Sequence, residues 1–313
     1  MAQLSDLLTA ETLCASALPT WQPHVLRLER LPSLPEKRCQ FRSIDHVGSF
    51  FPVRADRACS ELCLLRGGYC REMSAPLTVV TGGSRGIGGA VSRRLVSDGH
   101  DVVIGYRTDS ATARAVASEL STDGRTVIAV RADTTDEQSV VDLFTAAARV
   151  GTVTGLVNNA GSARAVGALV DNDIETIRAD LDVNLVGVLT CCKYAISAMA
   201  ESGGSIVNIS SAAATLGSPG MYVHYAAAKA AVDTLTVGLS KEVAAQNIRV
   251  NAVAPGIIET DFHRDRDRPR KMASSIPLGR PGVPDEIAGA VSWLLSEDAR
   301  YATGTVVRVA GGM

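Results

Sequence analysis

Aromatic residues are scarce in this 313-residue chain, at 4%. So few rings, with a net charge of only −2, exclude a base-stacking platform and a general polyanion surface, and no nucleic-acid partner is expected. Long apolar runs are missing too: none approaches the roughly 18 residues that a membrane span needs. A cytoplasmic protein with no membrane partner is the expectation.

Cysteine is nearly absent from most of the chain. Cys14, Cys39, Cys59, Cys63 and Cys70 lie in the first 72 residues, and only Cys191 and Cys192 follow. Cys59 and Cys63 with Cys70 lack a second close pair of ligands, so neither a zinc site nor a disulfide framework is expected, and no metal. The same 72 residues carry nine Lys/Arg and eight Asp/Glu, five prolines and no sustained apolar periodicity. Eight acids are too many for a transit peptide. A short helix over 4–18 is the one regular element expected there. Met73 then opens Ser74-Ala75-Pro76, directly before the first apolar run. The break divides the chain into an N-terminal extension, 1–72, either disordered or the product of an over-long gene-start assignment, and a domain over 73–313.

What remains is rich in aliphatic residues: 46% of the chain is hydrophobic, enough for one large α/β core. Short β-branched runs alternate with helical stretches. Strands are expected at 77–81, 101–106, 126–131, 153–158, 204–209, 248–253 and 305–309. Helices are expected near 86–98, 110–122, 136–149, 173–200, 222–245 and 284–296. That alternation predicts a doubly wound, Rossmann-type, seven-stranded parallel sheet, with ligands bound beyond the carboxyl ends of the strands. Thr81, Arg107, Asp133, Asn159, Ser211 and Pro255 all fall at or just past such ends.

The first strand, Leu77 to Val80, runs into Thr81-Gly82-Gly83-Ser84-Arg85-Gly86-Ile87-Gly88-Gly89 and then a helical pattern. Glycines there let backbone approach a pyrophosphate, and the following helix offers it free N–H groups. The pattern is T-G-x-x-x-G-x-G, not G-x-G-x-x-G. Far downstream, Tyr225-Ala-Ala-Ala-Lys229 is helix-forming, so phenol and ammonium share one face at i and i+4. Making a tyrosine a proton donor near neutral pH asks for about 3 pKa units, roughly 4 kcal/mol. A cation about 4 Å away supplies that much at an effective dielectric of about 20. With Ser211 upstream and Asn184 further back, the set can protonate a carbonyl oxygen while a hydride reaches its carbon.

On Thr81 to Gly88, Asn158-Asn159-Ala160-Gly161, Asn184, Ser211, Tyr225, Lys229, Pro255-Gly256 and the terminal glycines, the chain from about 76 to 313 resembles the short-chain dehydrogenase/reductase family. It is similar to bacterial 3-oxoacyl-carrier-protein reductases and glucose dehydrogenases. The resemblance implies an NAD(P)-dependent oxidoreductase acting on an alcohol or ketone. It implies that Gly82, Ser84, Arg85, Gly86, Ile87 and Gly88 cradle the pyrophosphate, and that Asp133 meets the adenine edge unless it caps the next helix. Asn159, Ala160 and Gly161 then wall the adenine ribose, or lock one strand to its neighbour. Pro255, Gly256, Ile258 and Thr260 face the nicotinamide. Tyr225 donates the proton, Ser211 orients the substrate oxygen, Lys229 holds the nicotinamide ribose, and Asn184 positions a water. Ser210 and Tyr222 are near look-alikes of two of these. His224 either lines the substrate side or is a plain helix-start residue.

The second strand ends in Tyr106-Arg107 where NAD-binding relatives place an acid. An arginine suits a 2′-phosphate, so NADP (NADPH) is expected over NAD. Asp109, two residues on, is the competing ribose ligand. The substrate is a small carbonyl or alcohol compound whose identity the residues leave open. A basic run, His263 to Lys271, is either a solvated lid or a surface for an acidic carrier protein or phosphorylated ligand. Cys191 and Cys192, mid-helix, are expected to be buried small residues. The resemblance also implies a homotetramer, with the small residues of 226–231, Val232 and Leu235 at helix contacts. A chain that starts at Met73 is expected to fold and bind dinucleotide as the full chain does, checked by thermal melting and cofactor titration; loss of either contradicts the boundary.

Overall fold

The computed structural model describes residues 27–30, 38–42, 52–54, 75–122, 124–262 and 265–313. The chain divides into two compact units, Met1–Met73 and Ser74–Met313. In the first, Arg27–Arg30 (β1), Arg38–Arg42 (β2) and Pro52–Arg54 (β3) form a small antiparallel sheet in that order, which the sequence did not foretell. The helix expected over 4–18 and the side chains of Cys14, Cys39, Cys59, Cys63 and Cys70 lie outside the described residues.

The second unit is built on seven parallel strands: β4 (Leu77–Thr81), β5 (Asp101–Tyr106), β6 (Val127–Arg131), β7 (Val153–Asn158), β8 (Gly204–Ile209), β9 (Ile248–Pro255) and β10 (Val306–Val309). Their spatial order is β10-β9-β8-β7-β4-β5-β6. The chain therefore runs outward from β4 through β5 to β6, then returns to pair β7 on the other side of β4. The strand order reverses between β4 and β7, and a crevice opens there at the carboxyl ends.

Successive side chains of a strand face opposite ways, and the buried residues obey that period. Val79, Val103, Leu156, Ile206 and Val250 enter one core, with α3 (Glu137–Val150), α5 (Gly187–Met199) and α7 (Val223–Glu242). Val80, Val102, Ile104, Val157, Val207 and Val253 enter the other, with α1 (Gly86–Ser97), α2 (Ser110–Leu120) and α9 (Pro284–Leu295). A sheet covered on both faces needs apolar residues at nearly every strand position. The strands supply them.

The helix expected over 173–200 is not uniform. It runs as α4 (Ile174–Leu181), a π-helical turn at Asp182–Val186 that contains Asn184, and then α5. By length and composition Ile174–Met199 passes for a membrane span, with a mean hydropathy of 1.3 over its most apolar window, which corrects the expectation of none. Its apolar side instead fills the first core through Val188, Cys191, Cys192, Ala195 and Met199. The two cysteines are free and buried, and burial pushes the Cys192 thiol up to about 12. Two short helices escaped the sequence pattern because each is a single turn: α6 (Ala213–Leu216) and α8 (Arg268–Lys271).

Along the Tyr225 helix, Ala226, Ala228 and Val232 are buried within this unit and Leu235 packs against its core, while Ala227, Ala230 and Ala231 of the same stretch are not buried. The outward residues of α7 are Ala227, Thr234, Val237 and Gly238.

Candidate active site

The carboxyl ends of β4 and β7 are tied by a side-chain lattice. Thr81 Oγ1 accepts from the N–H of Asn159 and of Ala160, both at 3.0 Å, and donates to Val157 O at 3.3 Å. The Asn159 amide donates to Thr81 O at 2.9 Å and Gly82 O at 3.0 Å. Of the two roles considered for this turn, the strand lock is thus present. Gly82 and Gly86 take φ of +63° and +53°, which glycine alone adopts without strain. A Cβ on Gly88 would stand 2.2 Å from Gly82 O and 2.4 Å from Asn159 Nδ2, so α1 can press against this turn only with glycine there. Arg85, the N-cap of α1, makes no side-chain cap, leaving the first turn open to an anion.

A cavity of about 540 Å³ lies along these ends, within the range of about 300–1,000 Å³ usual for ligand clefts. Its walls include Gly82, Ser84, Arg85, Gly86 and Ile87, then Arg107 and Asp133, and at the far end Ser211, Tyr225, Lys229 and Thr260. Asn159, Ala160, Gly161, Pro255, Gly256 and Ile258 line it as well, while Gly88 stands behind the turn. Asp109 also lines the cavity and serves as the N-cap of α2, its Oδ1 accepting from the Thr112 N–H at 3.0 Å, and its bonds with Thr112 hold its carboxyl below the ordinary range. Asp133 does not cap α3. Its Oδ1 accepts from Thr135 N at 3.1 Å and Thr135 Oγ1 at 2.8 Å, and the N-cap position belongs to Asp136. The loop after β9 is fixed by Gly256 N donating to Val309 O at 2.9 Å and Glu259 N to Gly282 O at 2.9 Å.

At the inner end Tyr225 is buried, and Ser211 stands close enough to draw its phenol's proton affinity down. Ser211 Oγ also accepts from Ala213 N at 3.1 Å. Ser210 faces away, donating to the main-chain oxygen of Lys229 at 3.3 Å, so the two serines are distinguished by side. Tyr222 packs edge-on against Tyr225, 5.2 Å between centroids. Lys229 is buried; its Nζ donates to Ile209 O at 2.8 Å and stands 5.7 Å from the Tyr225 ring centroid.

The electrostatics differ from the sequence expectation. Burial pushes the Tyr225 phenol well above its ordinary value, against the downward pull of Ser211, and Tyr222 adds to the rise. Burial likewise brings Lys229 down to about 8, against the charge of Asp233 one turn on. An ammonium at i+4 was expected to acidify the phenol unaided, but desolvation, which a sequence does not display, outweighs it. The phenol therefore holds its proton at neutral pH.

Asn184 is fully buried and committed to the chain. Its Nδ2 donates to Ser162 O at 2.6 Å and Asp180 O at 2.8 Å, and its Oδ1 accepts from Ser162 N at 3.3 Å. Both amide protons are used, so the side chain braces the loop after β7. Asp180, which the sequence reading passed over, completes the brace. Its carboxylate accepts from Ser162 Oγ at 2.6 Å, Arg164 N at 2.7 Å and Ala165 N at 3.0 Å. His224 turns away from the substrate side, its Nε2 3.5 Å from Asp180 Oδ2.

The family described as enoyl-(acyl carrier protein) reductase matches residues 82–313. An uncharacterized oxidoreductase of Escherichia coli (strain K12), YgfF, is 43% identical over 244 residues, which is 75% of this chain and 99% of the relative. A 3-oxoacyl-[acyl-carrier-protein] reductase of Synechocystis is 38% identical over 244 residues, 77% and 98% of the two chains. Among solved structures, a blue fluorescent protein from a metagenomic library in complex with NADPH superposes with a TM-score of 0.72 at 34% identity, over 77% of this chain and 99% of that one. The chain belongs to the matched family, a branch of the short-chain dehydrogenases/reductases, and is an oxidoreductase of that type.

Between about 8 and the ordinary lysine value of 10.5 the unfolded chain keeps a proton that native Lys229 has released, so this site's contribution to stability rises with pH across that window. Asp233→Asn removes the charge that raises Lys229 and is expected to lower its titration point further. NMR titration of labelled lysine checks both; a native Lys229 that titrates like a free lysine contradicts the burial account.

Proposed function

We propose that this chain is an NADPH-dependent carbonyl reductase that converts a ketone, an oxoacyl or other small carbonyl compound, to a secondary alcohol. The observation that carries the reading is that the buried Tyr225 phenol, Ser211 and Lys229 line the same cleft as Gly82, Ser84, Arg85, Gly86 and Ile87. Burial makes this phenol a weaker acid than a free tyrosine, yet the alkoxide forming on the carbonyl oxygen is a stronger base still, so the proton passes to it as the hydride arrives. When bound, NADPH supplies the hydride to the carbonyl carbon. Tyr225 Oη gives its proton to the carbonyl oxygen, and Ser211 Oγ donates a hydrogen bond to the same atom. The phenolate left behind is stabilised by Ser211 and by the Lys229 ammonium, which also donates to the nicotinamide ribose. Asn184, with Asp180, holds the wall that keeps the substrate against Tyr225.

The remaining cleft residues hold the cofactor in the order of the chain. Gly82 to Gly88 and the start of α1 take the pyrophosphate, Asp133 and the Asn159-Ala160-Gly161 turn take the adenosine, and Pro255, Gly256, Ile258 and Thr260 take the nicotinamide. Arg107, with Arg85 across the turn, favours NADP: both carry positive charge at the adenosine end, and Asp109 is already engaged in capping α2. The names of relatives support a reductase, since one acts on 3-oxoacyl groups and one structure holds NADPH.

The catalytic unit starts near Met73 in this reading and works in the cytoplasm, where the thiols of Cys191 and Cys192 stay reduced. It assembles as a homotetramer through the outward face of α7 and its neighbours.

NADPH oxidation against oxoacyl thioesters, ketones and quinones is expected to find turnover, with the reverse reaction tested on sugars and polyols. Turnover confined to sugar oxidation would assign the opposite direction. Arg107→Asp replaces a charge-assisted contact by repulsion and is expected to weaken NADPH binding about tenfold or more while changing NADH by less than about threefold. Equal effects on both cofactors contradict the NADP assignment.

A further inference from the structure

The basic run over the cleft resolves into cations with different surroundings. Lys271 Nζ pairs with Asp265 Oδ2 at 2.7 Å, and Arg266 with Asp261 Oδ1 at 3.7 Å. Arg268, first residue of α8, has no carboxylate within salt-bridge distance among the described residues. Asp265 lies close enough for Arg268 to lower its carboxyl slightly, but its oxygens are taken by Lys271 and by the Asp267 N–H.

Arg268 turns inward instead. Its guanidinium lies 5.4 Å over the ring of Tyr222, which itself packs edge-on against Tyr225. One of its Nη atoms rests on the Met221 sulfur, a weak acceptor, and its Nε is buried with no acceptor. Arg268 lines both the main cavity and an adjoining chamber of about 320 Å³, where its neighbours include Met221, Tyr222, Phe262 and Met272. The half-buried guanidinium thus has its Nε shut among thioether and aromatic groups that offer no good acceptor, while Asp265, which also lines the chamber, is engaged by Lys271. Unmet donors are costly where water is excluded, and a planar anion removes that cost with two parallel hydrogen bonds.

We propose that Arg268 is a specificity-determining residue that binds an anionic group, a carboxylate or phosphate, at the end of the substrate remote from the carbonyl. The inference rests on the reading of Tyr225 as the group that meets the carbonyl. Lys271 and Arg266 already have carboxylate partners, whereas the inward Arg268 has none among the described residues, so a small anion inside the cleft is the occupant it fits.

The test uses pairs that differ only in charge: 4-oxopentanoate, 5-oxohexanoate, 6-oxoheptanoate and 7-oxooctanoate against their methyl esters, and dihydroxyacetone phosphate against dihydroxyacetone. Each is titrated calorimetrically into the full chain with NADP⁺ present, and its kcat/KM is measured with NADPH. For at least one pair the anion is expected to bind about tenfold tighter, as a charge-assisted pair should. Arg268→Gln is expected to abolish that preference while leaving the neutral partner within about twofold, and Arg268→Lys to keep part of it. The carboxylate and phosphate arms distinguish the two sources of charge. No anion preference in any pair overturns the proposal, as does an Arg268→Gln variant that weakens acid and ester alike, which would make the residue a lid-packing group. Turnover only of protein-carried thioesters, indifferent to Arg268, also overturns it. An anion preference in binding without turnover of any ketone would uphold the Arg268 site and remove the reductase reading.

Discussion

Burial acts in opposite senses on two groups one helical turn apart. It holds the Tyr225 proton on and loosens the Lys229 proton, because removing water penalises a phenolate and an ammonium alike. For the ammonium, Ile209 O replaces part of the lost water, and Ser211 beside the phenol works against the rise that burial causes. Every other part of the second unit serves to place those two side chains at the carboxyl edge of the sheet. The reversal of strand order beside β4 opens the cleft, and α7 delivers the pair into its inner end.

A second constraint keeps the cleft's walls in place. Thr81 and Asn159 lock β4 to β7, and Asn184 and Asp180 hold the loop that follows β7 from the side of the α4–α5 helix. The π turn in that helix is where Asn184 reaches the loop, and an extra residue in a helical turn is a common device at functional sites. Nearby, Asn158 Nδ2 donates to Asn208 Oδ1 at 2.9 Å, and Asn208 Nδ2 donates to Thr236 Oγ1 at 2.9 Å. These buried amides fasten β7 and β8 to α7, so the strand that leads into Ser210 and Ser211 and the helix that carries Tyr225 keep a fixed relation. Satisfied networks of this kind specify one arrangement, since any slip leaves donors unpaired in a dry interior.

Much of the fold was legible in the sequence. Alternation of β-branched runs with helical periodicity located all seven strands of the large sheet within two residues, since burial on both faces demands those runs. The family of the chain followed from the glycine turn together with Tyr225 and Lys229, because i, i+4 spacing fixes neighbours on a helix before any tertiary contact forms. Other features depend on contacts between distant residues and were hidden. The π turn at Asn184 arises where a side chain leaves the helix for Ser162. The Asp180–His224 contact joins separate helices. Desolvation of Lys229 requires knowing what covers it. The run from His263 to Lys271 reads as locally basic, but which of its cations pairs with an aspartate and which turns inward, as Arg268 does, depends on the fold.

In the proposed reading the cleft has a division of labour: Gly82 and Gly86 would give close backbone approach to a cofactor, Arg85 and Arg107 would give charge, and the buried Tyr225 phenol would give a proton. The central claim is that this single proton donor sets the rate of reduction without carrying cofactor affinity. Tyr225→Phe removes one oxygen from a packed ring. The account predicts NADPH affinity within about twofold of the parent and a fall in kcat of about a thousandfold or more, the scale of a lost general acid. Turnover that survives the substitution, or cofactor binding that disappears with it, would contradict the account.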